Sequence, residues 1–575
     1  VKISPLEAIG TRLDASVTFL SLTPELLCKR VPQWLLCGAA TIVWSSYPAM
    51  ADDSVSDREI PSFTELQASG AIIGEIRIET LNIFNLDDPA ENNALFRAAN
   101  AFHIRTRPSL IMRMLLFHSG EPVSVRLIEE TERLLRTNAP IYDVSIEPVA
   151  YHDGFVDIAV TTHDTWTLQP GISFSRTGGT NSNGLALKEQ NLFGTGISFG
   201  MAHTSSVDRS GSEFEFSDNH AFDGWTTISL AHASYSDGSS ESLVLDRPFY
   251  ALDTRWAAGV SASKFERTDS IYNGGNISGQ YRHHQDRAQA YGGWSRGLID
   301  GWTQRYSVGV DSQTDTYQFD PSLSPPVQPP PDQTLAGPFV RYELVEDNYL
   351  KVMNRDRIQR PEYFAMGFQS LVQVGRALPD FGSTQNPWLV SAAVSDGFRV
   401  LGRHDLLTSG SISRQYGNET GDRRALSGSA HYYVPQSPRA LFYAAASADA
   451  IDSPNAADQL QLGGDNGLRG YPLRYQTGSH RALMTVEERI YTDWYPFRLF
   501  RVGGAVYYDI GRAWGGPTEN TANTRWLSDI GCGLRIVSDR SSAGNVLHVD
   551  IAIPINNHDP TIASHQLLFK MTTSF

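Results

Sequence analysis

From Trp166 onward, apolar and polar positions alternate with a period of two in short runs separated by Gly, Asp, Asn, Ser and Pro. "GISFGMAHTS", "WTTISLAHASY", "RWAAGVSASKF", "LFYAAASADA" and "VLHVDIAIPI" each set large apolar side chains against Gly, Ala, Ser or charge. This is the weak per-segment pattern of membrane barrel strands, and about twenty candidates can be counted, hairpins in loops included. A soluble β-sandwich or propeller would also need many strands, but no blade-length repeat is present. The last segment, "HQLLFKMTTSF", puts Leu567, Phe569, Met571, Thr573 and Phe575 on one face and Gln566, Leu568, Lys570, Thr572 and Ser574 on the other. Such a strand fits a barrel closed by its final segment. The first, "TLQPGISFSRTGG", carries Pro170 and Gly171. Proline cannot donate to a ladder, so this strand is expected to pair poorly with the last, unless Pro170 merely marks where the strand starts. "PSLSPPVQPPPDQ", Pro321 to Gln333, is expected to be an extended extracellular loop for the same reason.

Ahead of this region the pattern changes. "AIIGEIRIETL" alternates like a strand, "NNALFRAANAFHIRTR" has helical spacing, and "SVRLIEETERLLRT" predicts a second helix. Ser124 is placed to cap that helix, with Leu127, Thr131, Leu134 and Leu135 on one face. "YDVSIEPVAYH" and "GFVDIAVTTHD" then read as strands joined at Asp153-Gly154, a strong hairpin signal. The order strand, helix, helix, strand, strand predicts a small α+β domain over residues 70–165, with a sheet edge to offer. A linker over 52–69 and a barrel over 166–575 complete the division.

Residues 1–51 read as an extension and a signal peptide. Lys29 and Arg30 precede the apolar "VPQWLLCGAATIVW", and "SSYPAMA" supplies a small-x-small site with cleavage expected after Ala51. The apolar run is shorter than the roughly 18–20 residues a spanning helix needs. Cleavage would remove Cys28 and Cys37 and leave Cys532 alone, so no internal disulfide is expected. With no other long apolar run, membrane insertion would have to use a closed barrel. The net charge of −16 argues against a nucleic-acid partner, which would call for a basic patch or stripe.

The candidate chemistry lies in "QLGGDNGLRGYPLRYQTG", where Arg469 sits among glycines. Downstream, "RALMTVEERIY" places Leu483, Thr485, Glu487, Arg489 and Tyr491 on one face, and "GGAVYYDIGRAW" places Tyr507, Asp509 and Gly511 on one face. If the apolar faces meet lipid, Glu487 and Asp509 point into the lumen from neighbouring strands, although Glu488 interrupts the apolar row. A glycine-rich loop folded back into the lumen would bring Arg469 to those carboxylates, and a guanidinium is suited to paired hydrogen bonds with them.

These residues carry a resemblance. "GLRGYP" resembles the Arg-Gly-aromatic loop motif of the BamA/TamA family of outer-membrane assembly barrels, and "GGAVYYDIGRAW" resembles that family's next motif. "EQNLFGTG", Glu189 to Gly196, looks like its early barrel turn, and the α+β region is similar to a POTRA domain. The end of the chain, with Phe569, Met571, Thr573 and Phe575, looks like the C-terminal signal of outer-membrane barrels. The resemblance implies a mainly β fold: one periplasmic POTRA-like α+β domain before a transmembrane antiparallel barrel of about sixteen strands, within the size range of such barrels. It implies a luminal lock of Leu468, Arg469, Gly470 and Tyr471 held by Asp509, with Glu487 matching less securely. It also implies a bacterial outer-membrane location, outer-membrane lipids and unfolded nascent β-barrel or secreted client polypeptides as partners, periplasmic or lipoprotein accessory factors as further candidates, and no cofactor. The family's main assembly factors carry several POTRA domains, whereas one fits here, which puts recruitment of accessory lipoproteins in doubt.

Two other readings remain open: a passive porin-like channel, and a two-partner secretion transporter for one dedicated substrate. An enzyme is not expected. His163 and Asp164 with scattered serines could suggest hydrolysis, but no Gly-x-Ser-x-Gly elbow is expected, and "GGDNGLRG" lacks the Lys-Ser/Thr end of a phosphate loop. No metal site is expected either, because the adjacent His283 and His284 would point to opposite faces of a strand.

Overall fold

The computed structural model describes residues 60–417, 421–516, 525–541, 546–555, 559–560 and 562–572. The expected signal peptide and its cleavage point, together with Thr573 and Phe575, lie outside the described residues.

The first part folds as α1 (Phe63–Ala68), β1 (Ile72–Leu81), α2 (Ala94–Phe102), α3 (Pro108–Arg113), α4 (Val125–Arg136), β2 (Ile141–His152) and β3 (Phe155–Asp164). The sheet has order β1-β3-β2, with β1 parallel and β2 antiparallel to β3. Asp153 and Gly154 both take positive φ, as the tight turn between β2 and β3 demands. The helices cover one face of the sheet, burying Leu66, Ile73, Leu110, Ile111, Leu135 and Ile158 in one core. Of the expected linker over 52–69, the described residues 60–69 carry structure instead. Ser62 and Glu65 form a reciprocal capping box that starts α1, and Leu66 is wholly buried. On α4 the buried face is Ile128, Thr131 and Leu135 together with Glu130, rather than one centred on Leu127 and Leu134.

Between Leu168 and Thr572, twenty strands among the described residues close into an antiparallel barrel. The expected sixteen is corrected: period-two alternation marks strands but does not fix how many join one wall, and barrel width grows with that number. Two short pairs stand apart from the wall, Tyr349–Met353 with Pro361–Ala365 and Leu460–Leu462 with Gln476–Gly478. The proline-rich segment joins the barrel strands Trp302–Gln318 and Gln333–Glu346 and lies along a third, Asn276–Ile299, where Gln280 is bonded to the backbone of Pro325 and Val327.

The barrel is apolar outside and polar inside. Met484, Val506, Ile530, Ile551 and Leu567 are exposed on its outer face, while Glu487, Asp509, Asp529, Arg535 and Asp550 are buried on its inner one. That inversion of a soluble fold suits a wall surrounded by lipid. Closure satisfies the strand edges that hydrocarbon could not. Trp256, Trp294 and Tyr306 are exposed and paired in adjacent strands, forming an aromatic row at the end nearest the α+β domain. Rings of this kind sit at the headgroup level of a bilayer. Among the described residues no helix is long and apolar enough to cross a membrane.

The α+β domain is fastened to that rim. Arg540 bonds Glu91 at 2.5 Å, Asn191 donates to Thr106 Oγ1 at 2.9 Å, and Arg126 pairs with Asp253. Glu130 accepts from the Leu252 amide at 2.9 Å and from Arg126 at 2.9 Å. Burial, the largest influence, pushes the Glu130 carboxyl above the usual glutamate range against the pull of that amide and of Arg133 and Arg126.

Candidate functional site

The loop between Asp452 and His480 turns back into the lumen. Its apolar residues fix it there: Leu468 and Tyr471 are wholly buried against Leu462, Tyr475, Ala513 and Leu527. Glycine is required along the approach. Gly467 has φ +107 and lies against Leu483, and a Cβ on Gly470 would stand 2.8 Å from the Asp529 Cβ and 3.1 Å from the Pro554 nitrogen.

At the loop tip, Arg469 Nε donates to Asp509 Oδ2 at 2.7 Å and Nη2 donates to Asp509 Oδ1 at 2.9 Å, a bidentate pair. Its third nitrogen, Nη1, lies 3.0 Å from Glu487 Oε1. The guanidinium carbon sits 3.3 Å from the centre of the Tyr507 ring. Thr485 Oγ1 donates to Asp509 Oδ1 at 2.8 Å, Gly470 N–H donates to Asp529 Oδ2 at 2.9 Å, and the Tyr471 hydroxyl donates to the Ser528 carbonyl at 3.2 Å. The four loop residues and both carboxylates expected as a lock thus meet in one place. Glu487, not Glu488, is the inward carboxylate, and Glu488 lies on the outer face beside Gln436 at 3.2 Å.

Two features of this site were not read from the sequence. Asp529 holds the backbone of the loop, and the alternation in "WLSDIGCGLRIVS", which puts Asp529 and Arg535 on one face, could have found it. The second is the hairpin Tyr349–Ala365, which enters the lumen from the opposite end. Its tip packs Ile358 and Phe364 against Tyr433, Leu441 and Tyr491, and Arg355 pairs with buried Asp405 at 2.9 Å. Arg489 joins the two structures, bonding Glu487 at 2.9 Å and the Arg355 carbonyl at 2.8 Å. The hairpin in turn meets the α+β domain through Lys351 with Glu132 at 2.8 Å and Arg133 over the Tyr349 ring at 3.6 Å. Bonded and packed contacts therefore run from the loop tip through the lumen to the soluble domain.

The first barrel strand, β4 (Leu168–Thr177), meets the final strand (Gln566–Thr572) at a single ladder position among the described residues, Phe569 opposite Arg176. The rings of Phe174 and Phe569 add an edge contact at 6.2 Å. On its other side β4 is paired along its whole length, with Pro170 opposite Leu187 and Gly171 opposite Ala186. Met571 lies exposed on the outer face of the final strand. The luminal loop touches both seam strands. Gly464 and Leu473 pack on Gly178 in the turn after β4, and Lys570 Nζ donates to the Asp465 carbonyl at 3.3 Å.

Asp164 accepts from Thr106 N–H at 2.7 Å and faces buried His103 at 3.0 Å, a structural pairing. Two Gly-x-Ser-x-Gly strings, Gly196 to Gly200 and Gly293 to Gly297, run in or into barrel strands with no helix after them. His283 lies between Asp269 at 2.8 Å and Asp315 at 3.0 Å, while His284 faces Asp286. No group of three or more His, Cys, Asp or Glu side chains suited to a metal ion occurs among the described residues.

No family model matches the chain, and no curated protein matches it. Similar solved structures include BamA from Haemophilus ducreyi lacking POTRA domains 1–3, at 12% identity over 86% of this chain and 84% of that one, with a TM-score of 0.38. CdiB from Escherichia coli has 13% identity over 87% of this chain and 76% of its own, with a TM-score of 0.45. The FrpB iron transporter from Neisseria meningitidis has 8% identity over 75% and 87%, with a TM-score of 0.39.

Proposed function

We propose that this chain is an outer-membrane polypeptide-handling barrel of the BamA/TamA type, inserting or translocating client chains without nucleotide hydrolysis, catalytic residues or a cofactor. The observation that carries the reading is the bidentate Arg469–Asp509 pair, closed by Glu487, at the tip of a loop bearing the Gly-Leu-Arg-Gly-Tyr-Pro motif. Composition and period alone would not put that motif and that acidic wall together.

The mechanism follows from edges. A closed barrel offers no unpaired strand, but a seam with little backbone pairing can part and present donors and acceptors. A client strand then pairs there by β-addition. The seam between β4 and the final strand has the fewest ladder positions of the wall among the described residues. The clasped loop holds the neighbouring wall while the seam parts. The α+β domain, in this reading a periplasmic POTRA-like module, presents the edges of its sheet to arriving clients. An open passive pore fits less well, because the Tyr349–Ala365 hairpin and the loop occupy the lumen from its two ends.

Depleting the protein and measuring outer-membrane protein abundance tests this. Broad loss of barrel proteins is expected of an assembly factor and loss of one exported species of a dedicated transporter, while unchanged abundance and export overturn the proposal.

A further inference from the structure

The stretch from Asn92 to Gly120 contains no Asp or Glu, in a chain whose net charge is −16, and it carries Arg97, Arg105, Arg107 and Arg113. All four arginines are exposed. The same stretch exposes large apolar side chains: Phe102 is 82% accessible, and Leu95, Ile104 and Met112 are also exposed. Helix α2 turns Phe96 inward, stacked on Phe84 at 3.9 Å, and leaves Leu95 and Phe102 outside. A folded domain gains nothing from a bare phenylalanine on a helix, so this face calls for a covering.

Its place in the molecule says what covers it. The Arg107 amide donates to the Gly194 carbonyl at 2.9 Å, in the turn between two barrel strands. Gly224, in the next such turn, packs against Arg113, where an added Cβ would lie 3.0 Å from the arginine Cβ. Each turn carries its own bare aromatic, Phe193 and Phe222, the latter 76% accessible. Both turns belong to the rim marked by the aromatic row of Trp256, Trp294 and Tyr306, where headgroups begin. Arginines beside apolar side chains at that depth match an anionic lipid surface in charge and chemistry.

We propose that the Leu95–Arg113 face, continued by Phe193 and Phe222, is a membrane-docking surface that seats the α+β domain on anionic phospholipid headgroups of the adjoining leaflet. Phe102 and Phe222 enter the boundary between headgroups and acyl chains, while the arginines neutralise phosphates. This rests on the barrel standing in a bilayer. It adds that the domain is held by lipid as well as by the rim, which limits its swing beneath the seam.

The test uses the full chain with Cys28, Cys37 and Cys532 replaced by serine and one nitroxide label, placed through Phe102→Cys, or through Leu95→Cys if the first variant does not fold. Samples are nanodiscs of phosphatidylethanolamine with phosphatidylglycerol. The label is expected to be reached by oxygen and shielded from a water-soluble nickel chelate, with the shielding lost in the Arg107→Glu/Arg113→Glu variant. A label at Val308→Cys, on the outer wall, reads the barrel separately. Lipid exposure at 308 with full nickel access at both 95 and 102 overturns the docking proposal and leaves the membrane reading intact; aqueous exposure at 308 removes the membrane reading itself. Shielding at 102 that appears only when an unfolded barrel polypeptide is added also overturns the proposal, assigning the face to a client.

Discussion

On one side of the barrel the strand His480–Tyr491 is laddered to Phe500–Trp514 from His480 opposite Trp514 to Tyr491 opposite Gly503, and that strand is laddered equally far to Leu527–Ser538. A single strand, Val546–Pro554, separates that wall from the seam, where β4 and the final strand share one described ladder position. The first wall also carries Glu487, Asp509 and Asp529, all buried and all turned toward the loop. The seam has one edge-on aromatic contact on its outer face and the two loop contacts at Gly178 and Lys570. Both regions are antiparallel strands with apolar exteriors, so secondary structure does not separate them. Backbone pairing and buried charge do. Each net hydrogen bond contributes about 0.5–1.5 kcal/mol, so a wall with a full ladder outlasts a seam with one ladder position among the described residues. A barrel can thus be rigid in one stretch of its wall and yielding in the stretch beside it without any change of fold.

The largest effect is expected from Arg469→Ala, which would erase the contrast by loosening the rigid side. It leaves Asp509 buried without its cation, while Glu487 keeps Arg489, and breaking such a buried pair costs about 3–5 kcal/mol, less where water reaches the lumen. The loop over 453–479 should become open to protease and the barrel should unfold at a lower temperature in a heat-modifiability gel. A loop as protected as in the parent protein would contradict the clasp.

Gly470→Val sharpens the same contrast without touching a charge. Its side chain would press on Asp529 and on the Pro554 backbone, an overpacking cost of about 1–3 kcal/mol. Loop protection should fall less than with Arg469→Ala, and an unchanged digestion pattern would show that the loop is not seated against Asp529.

The smallest effect concerns the domain below the rim. Because the Glu130 pKa is raised in the folded state, chiefly by burial, the folded protein holds that proton more tightly than the unfolded chain. The associated stability is full below the ordinary glutamate range and is lost as pH rises through the elevated folded value. Protease resistance of residues 60–165 should therefore decline with rising pH across that window. Glu130→Gln should flatten the decline, and equal slopes in parent and variant would exclude this carboxyl as its source.

Alternation made much of this legible, because a period of two fixes which residues share a face once the apolar side is assigned. Asp509 and Glu487 could be turned inward on that ground, and glycines around Arg469 implied close approach. The same pattern was silent on which sheet a strand joins. Tyr349–Met353 and Pro361–Ala365 read like any other strands, yet they form a lumen hairpin held by Arg355–Asp405 and Arg489, contacts distant in sequence. Strand number was hidden for a related reason, since wall closure is a global property. Helix α3 is not legible because six residues beginning at Pro108 give too little periodicity, and α1 is marked in the sequence only by its Ser62–Glu65 box.

In the proposed mechanism the seam parts each time the protein works. Cysteines in place of Arg176 and Phe569, the paired seam residues, with Cys28, Cys37 and Cys532 replaced by serine, allow it to be shut by oxidation during a reconstituted client-insertion assay. Insertion is expected to stop when the disulfide forms and to return on reduction. Full insertion by the oxidised, cross-linked barrel would contradict the mechanism.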